Sequence, residues 1–128
     1  MPRSSERLVG WALVVLIVLL TLATGYVHYL VGGIMLTLNA LGYLGLAALV
    51  VGAAIAFRRA LPLVLLAVAA YAAVTIIGWL VMGPYYDVAY LAKAIEVALI
   101  ATIAVTLWRS RDELRESLTW GRSLVRRA

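Results

Sequence analysis

Ionisable side chains inside apolar runs are where this sequence could do chemistry. There are two, Lys93 and Glu96, in the run from Tyr86 to Trp108. A charge at the centre of a membrane helix costs on the order of 2.5–3.5 kcal/mol even on the lenient insertion scales, so it marks a partner or a task. Being three apart, the two share a helix face and can pair. At a rise of ~1.5 Å per residue, Lys93 lies about 10 Å and Glu96 about 15 Å below a helix start near Tyr86. Lys93 can snorkel outward. Glu96 is too short to reach water along the helix, so it must be protonated, paired or facing a polar cavity. Lys93 is also the only lysine among eleven basic residues, the other ten being arginine. Lysine is a compact charge whose protonation responds to burial, whereas arginine stays charged.

Other polar side chains fall at a similar depth. Asn39 is about two turns into the second apolar run and Tyr43 one turn deeper, with Thr75 and Trp79 in the third run and Tyr90 on the Lys93 face of the fourth. His28 closes the first run, and Asp87 stands at the rim of the fourth. Packed as a bundle, these groups could line one cavity below the external face, while the other half of every run is almost wholly Leu, Val, Ile and Ala. Two readings of the Lys93–Glu96 pair follow: a hydrogen-bonded clamp that fixes helix packing, or a titratable site that binds or moves an ion. A third has His28 as a haem or metal ligand, with its second ligand supplied by another copy or subunit. The absence of cysteine excludes thiol chemistry, disulfides and iron–sulfur clusters. No nucleophile–base pair, metal cluster or phosphate loop is legible, so no enzyme activity and no cofactor are expected.

The elements that position these residues follow from hydropathy. Of 128 residues, 66% are hydrophobic and 13% charged, against ~45–50% and ~25% in a soluble domain. Lipid must be the solvent. About fifty residues from Leu8 to Phe57 carry no formal charge apart from His28. One span needs ~20 residues, so this run is two helices turned at Gly32-Gly33. The expectation is an all-α, four-transmembrane-helix bundle with spans at about 8–29, 34–57, 62–82 and 86–108. Pro62 falls in the first turn of the third helix, where its missing N–H is harmless, and Gly83-Pro84 breaks the chain before the fourth. Residues 109–128 form a basic amphipathic tail with Leu114, Leu118, Gly121 and Val125 at helical spacing and Trp120 beside them. It either lies on anionic lipid headgroups or is a solvated helix that fixes topology.

Arg3, Arg7, Arg58, Arg59, Arg109, Arg111, Arg115, Arg122, Arg126 and Arg127 all fall on one side of the four spans. The positive-inside rule makes that side, with both termini, cytoplasmic, and the protein a multi-pass component of a prokaryotic cytoplasmic membrane. Flanking arginines of this kind argue against nucleic acid as partner. Trp11, Trp108 and Trp120 mark the inner interface, and Tyr26, Tyr29, Trp79, Tyr85 and Tyr86 the outer one. The first run could be read as a signal peptide ending near Ala23-Thr24-Gly25, but it is long for one, and an uncleaved helix is expected. Ala48, Gly52 and Ala56 form a small-xxx-small row, expected to lie inside the bundle or, failing that, against a homo-oligomer or larger membrane complex.

The segments around His28, Leu38-Asn39-Ala40-Leu41-Gly42-Tyr43-Leu44, Arg58-Arg59, Val74-Thr75-Ile76-Ile77-Gly78-Trp79 and Lys93-Ala94-Ile95-Glu96-Val97-Ala98-Leu99-Ile100 carry a resemblance. They resemble small four-helix integral membrane proteins of unknown function from archaea and high-GC bacteria, over about residues 8–108 and excluding the tail. The resemblance implies a four-span bundle and brings no activity. Multidrug-type four-helix transporters carry a membrane glutamate in helix 1, which this chain lacks. An accessory or scaffold-type membrane protein is therefore expected, ahead of a small ion- or proton-coupled transporter or channel using Glu96 and Lys93.

Overall fold

The computed structural model describes residues 4–128, so Arg3 lies outside the described residues. The chain is helical: α1 (Ser4–Val31), α2 (Ile34–Ala56), a single 3-10 turn (Arg58–Ala60), α3 (Leu61–Met82), α4 (Asp87–Arg109) and α5 (Arg111–Arg127). The first four helices are each long and apolar enough to cross a bilayer, which makes this a multi-pass membrane protein. Turn chemistry sets the boundaries. Gly32 and Gly33 take φ of 80° and 87°, and Gly83 takes 71°, a region that L-residues with a Cβ avoid. Pro62 sits in the first turn of α3, where no intrahelical N–H bond is lost. Helix α1 begins by Ser4, earlier than residue 8, because Ser4 to Arg7 continue the helix ahead of the apolar run.

α1 packs on α2 and α4, and α3 packs on the same two helices, so the helices follow one another round the bundle in chain order. Each contributes a seam of buried residues spaced alternately three and four apart: Val14, Ile17, Thr21, Thr24 and His28 on α1, and Ala40, Tyr43, Ala47, Val50 and Ala54 on α2. α3 supplies Leu61, Leu65, Val68 and Ala72, and α4 supplies Ala89, Ala92, Glu96, Leu99, Ile103 and Leu107. Apart from the last step of α4, where a second four follows the first, the threes and fours alternate, the spacing that keeps a stripe facing its neighbours in knobs-into-holes packing. Towards the end bearing Arg7, Arg58, Arg59 and Arg109 (the arginine end) the seam is aliphatic. Towards the two glycine turns (the turn end) it becomes polar.

Two sequence expectations are corrected by this packing. Ala48, Gly52 and Ala56 are exposed on the outside of α2, and a Cβ built on Gly52 meets nothing within 4 Å. The glycine used for close approach is instead Gly42, where a Cβ would collide with the Tyr71 hydroxyl. In α5, Leu114 and Gly121 do face the bundle, but Leu118 and Val125 are exposed and Ser117 fills the seam. Ser117 Oγ donates to the Arg59 carbonyl at 2.6 Å, which ties α5 to the turn between α2 and α3.

Candidate functional site

Glu96 is the centre of the turn-end seam, with no solvent-exposed surface. Its position follows from the α4 register: Lys93, Glu96, Leu99 and Ile103 share one face, so the face that is aliphatic below carries the acid above. Oε2 accepts from Lys93 Nζ at 2.7 Å. Oε1 accepts from the Tyr43 hydroxyl at 2.8 Å and from Thr24 Oγ1 at 3.3 Å, and His28 Nε2 lies 3.5 Å away. Lys93 Nζ also donates to the Thr75 carbonyl at 3.3 Å, and Tyr43 OH is 3.0 Å from Thr75 Oγ1. One carboxylate thus gathers side chains from α1, α2 and α4, and Lys93 and Tyr43 extend the network to α3. Among the described residues no buried side-chain polar atom lacks a hydrogen-bond partner.

Donor and acceptor capacity fixes several protons. His28 Nδ1 is 2.7 Å from the Thr24 carbonyl; a carbonyl only accepts, so Nδ1 carries a proton. Nε2 then lies 3.5 Å from Glu96 Oε1 and makes no hydrogen bond with it. Tyr43 has one proton, given to Glu96 at the shorter distance. The Thr75 hydroxyl donates to the Ala72 carbonyl at 2.8 Å, or else back to Tyr43. Lys93 has three donors, of which Glu96 and Thr75 occupy two. The tyrosines are themselves held: Tyr43 and Tyr71 pack edge to face at 4.9 Å, and Tyr71 donates to the Asn39 carbonyl at 3.1 Å.

Of the residues expected from sequence, Lys93, Glu96, Tyr43, Thr75 and His28 converge on this network. Asn39 and Trp79 line a cavity of about 300 Å³ that opens at the turn end and has His28, Thr75 and Lys93 among its lining. Trp79 Nε1 donates to the Pro84 carbonyl at 2.5 Å and its ring packs on Tyr90 at 5.1 Å. Tyr90 is mostly exposed and Asp87 stands exposed in the first turn of α4, so neither joins the network. Thr24 was not anticipated. The available signal was its place four residues before His28 and three after Thr21, on the buried face of α1. His28 Nδ1 is committed to the Thr24 carbonyl, and Nε2 is directed towards Glu96, 3.5 Å from Oε1. Among the described residues no group of three His, Cys, Asp or Glu side chains comes together as a metal site.

The fold and site define a class, a four-helix multi-pass membrane protein with a buried charged network in one half. Compared with protein-family models, curated proteins and solved structures, the chain matches none.

Proposed function

We propose that this is a non-catalytic, accessory or scaffold-type protein of a prokaryotic cytoplasmic membrane, whose Glu96-centred network pins its four helices in register. The observation that carries the reading is the closure of the network. Glu96 has no exposed surface, and its partners and theirs come from every helix of the bundle. In lipid, apolar surface gives helices no reason to prefer one another, so hydrogen bonds and close packing must specify the arrangement. The orientation we infer puts the arginine end in the cytoplasm. Arg58 stacks on Trp11 at 5.4 Å and Arg111 on Trp108 at 6.0 Å, pairing the cations with interfacial aromatics as the positive-inside rule and the aromatic belt would have them. On this reading α5 rests at the inner surface with Arg115, Arg122 and Arg126 towards anionic headgroups.

A transporter built on the same pair needs a path to the cytoplasmic side. Below Glu96 the seam is closed by Ile17, Val50, Leu65, Leu99 and Ile103, each with almost no exposed surface. The test is ion and proton flux in liposomes, with wild type beside Glu96→Gln/Lys93→Met. The expected result is no protein-dependent flux in either sample. A flux in the wild type that the folded, monodisperse double variant has lost would sink the scaffold reading in favour of transport.

A further inference from the structure

The cavity at the turn end has a chemistry that the clamp does not use. Its walls are apolar, with Val27, Val31, Met35, Leu36 and Val74 among them, and no acidic residue lines it. Its volume, about 300 Å³, lies at the low end of the ~300–1,000 Å³ range of small-molecule sites, which are typically apolar clefts with a few placed polar groups. Three polar groups are placed here. Lys93 has one N–H left after Glu96 and Thr75. His28 stands beside it, 5% exposed. Asn39, half-buried on the α2 wall, makes no side-chain hydrogen bond within the protein, although its backbone carbonyl accepts from Tyr71. An amide without a partner at membrane depth is costly unless something binds it.

Charge decides what that is. Lys93 is the one lining side chain that carries a formal charge, and the Glu96 carboxylate that pairs with it lies outside the lining. What the cavity meets is therefore the ammonium's remaining N–H and the Asn39 amide, donors that call for an oxygen acceptor. From these groups we propose that the cavity binds a small amphipathic carboxylate. Its head group accepts from Lys93 and the Asn39 amide, and its hydrocarbon chain lies along the Val27–Met35–Val74 wall towards the turn end. The carboxylate gives the third Lys93 N–H and the Asn39 amide the acceptors that the apolar walls do not supply. The proposal goes beyond the scaffold reading and holds whether or not the bundle conducts, since it needs only the closed network as its floor.

The probe is decanoate, with decanol as its uncharged counterpart, titrated by calorimetry into the full-length protein in phosphatidylcholine nanodiscs. Empty nanodiscs give the partitioning background. Saturable decanoate binding above that background is expected, with decanol weaker by about tenfold or more. Gly78→Leu extends a side chain from the cavity wall, and its first atom has room, since a Cβ there meets only the Met82 methyl at 4.0 Å. Asn39→Leu removes the free amide and leaves the Glu96 network alone. Each variant is expected to weaken decanoate about tenfold with the thermal midpoint unchanged. Decanoate that only partitions, decanol that binds equally well, or wild-type affinity in either variant would overturn the proposal. Failure here leaves the flux experiment untouched, and flux leaves this one untouched.

Discussion

The two halves of this bundle use one packing geometry and two kinds of side chain. At the arginine end the seam is Ile17, Val50, Leu65, Leu99 and Ile103, held by shape. At the turn end the same three-and-four spacing delivers Thr24, His28, Tyr43 and Glu96, held by directed bonds. The aliphatic half tolerates any neighbour of the right volume. In the polar half each donor has a particular acceptor, so losing one member strands another. The difference teaches where specificity sits: packing brings the helices together, and the Glu96 network selects which faces meet.

The largest expected effect comes from stranding a charge. Glu96→Leu leaves the Lys93 ammonium buried without its 2.7 Å partner. Removing one member of a buried pair costs about 3–5 kcal/mol, whereas replacing both with apolar groups is often neutral or stabilising. Thermal unfolding in detergent should therefore show a large fall for Glu96→Leu and recovery of most of it in Glu96→Leu/Lys93→Met. A double variant as unstable as the single would mean that the loss is one of shape, and the contrast between the halves would collapse.

Leu99→Ala, one turn below Glu96, is the matching probe of the aliphatic half. Leu99 has no exposed surface, and a leucine-to-alanine change in a packed core costs about 2–5 kcal/mol through lost contacts and the residual cavity. No second polar substitution should rescue it. Instead its loss should add to that of a change at the far end of the seam such as Leu61→Ala, in the first turn of α3, because independent cavities add. Strong non-additivity in the unfolding midpoints would show that the aliphatic half is also coupled as a unit.

A smaller effect is expected from Tyr43→Phe. The substitution removes one donor at 2.8 Å but keeps the ring against Tyr71, and Thr24 and Lys93 still serve the carboxylate. Hydrogen bonds between membrane helices average about 0.6 kcal/mol and reach about 1.7. A loss in that range, read by the same unfolding assay, makes the network redundant at single donors. A loss as large as that of Glu96→Leu would make Tyr43, and not Lys93, the partner on which the acid depends.

Much of this was legible in the sequence because membrane physics leaves few choices. Ionisable groups in an apolar run announce themselves, so Lys93 and Glu96 were evident, and the spans followed from length, glycine turns and Pro62. Membership of the network was less legible. Tyr43 and Thr75 were placed by depth alone, and depth does not give azimuth. Tyr90 and Asp87 have similar credentials yet stand outside, because the α4 seam runs through Ala89, Ala92 and Glu96. Thr24 looks like an ordinary threonine until the seam of α1 is read as Ile17, Thr21, Thr24 and His28. The small residues of α2 misled for the same reason. Two rows of small side chains lie on one helix, and only contact with α1 and α3 shows that Ala40, Ala47 and Ala54 face inward.

That outward row supplies the smallest expected effect. Gly52 has open space where a Cβ would stand, and Ala48 and Ala56 beside it are exposed. Gly52→Leu adds apolar surface facing lipid and removes a glycine from a helix interior, so the monomer should change by no more than about 0.5 kcal/mol, as surface substitutions do. A small-xxx-small row on a lipid-facing surface is also the geometry that lets a second helix come close. If another copy of this chain packs there, the leucine blocks it. The measurements are the unfolding midpoint at two protein-to-detergent ratios and the yield of cross-linked dimer in membranes. An unchanged midpoint and cross-linking yield would leave this face to lipid. A fall in both, steeper at high protein concentration, would extend the comparison to three regions: a shape-held half, a bond-held half, and an outer face where the bundle meets its own copy.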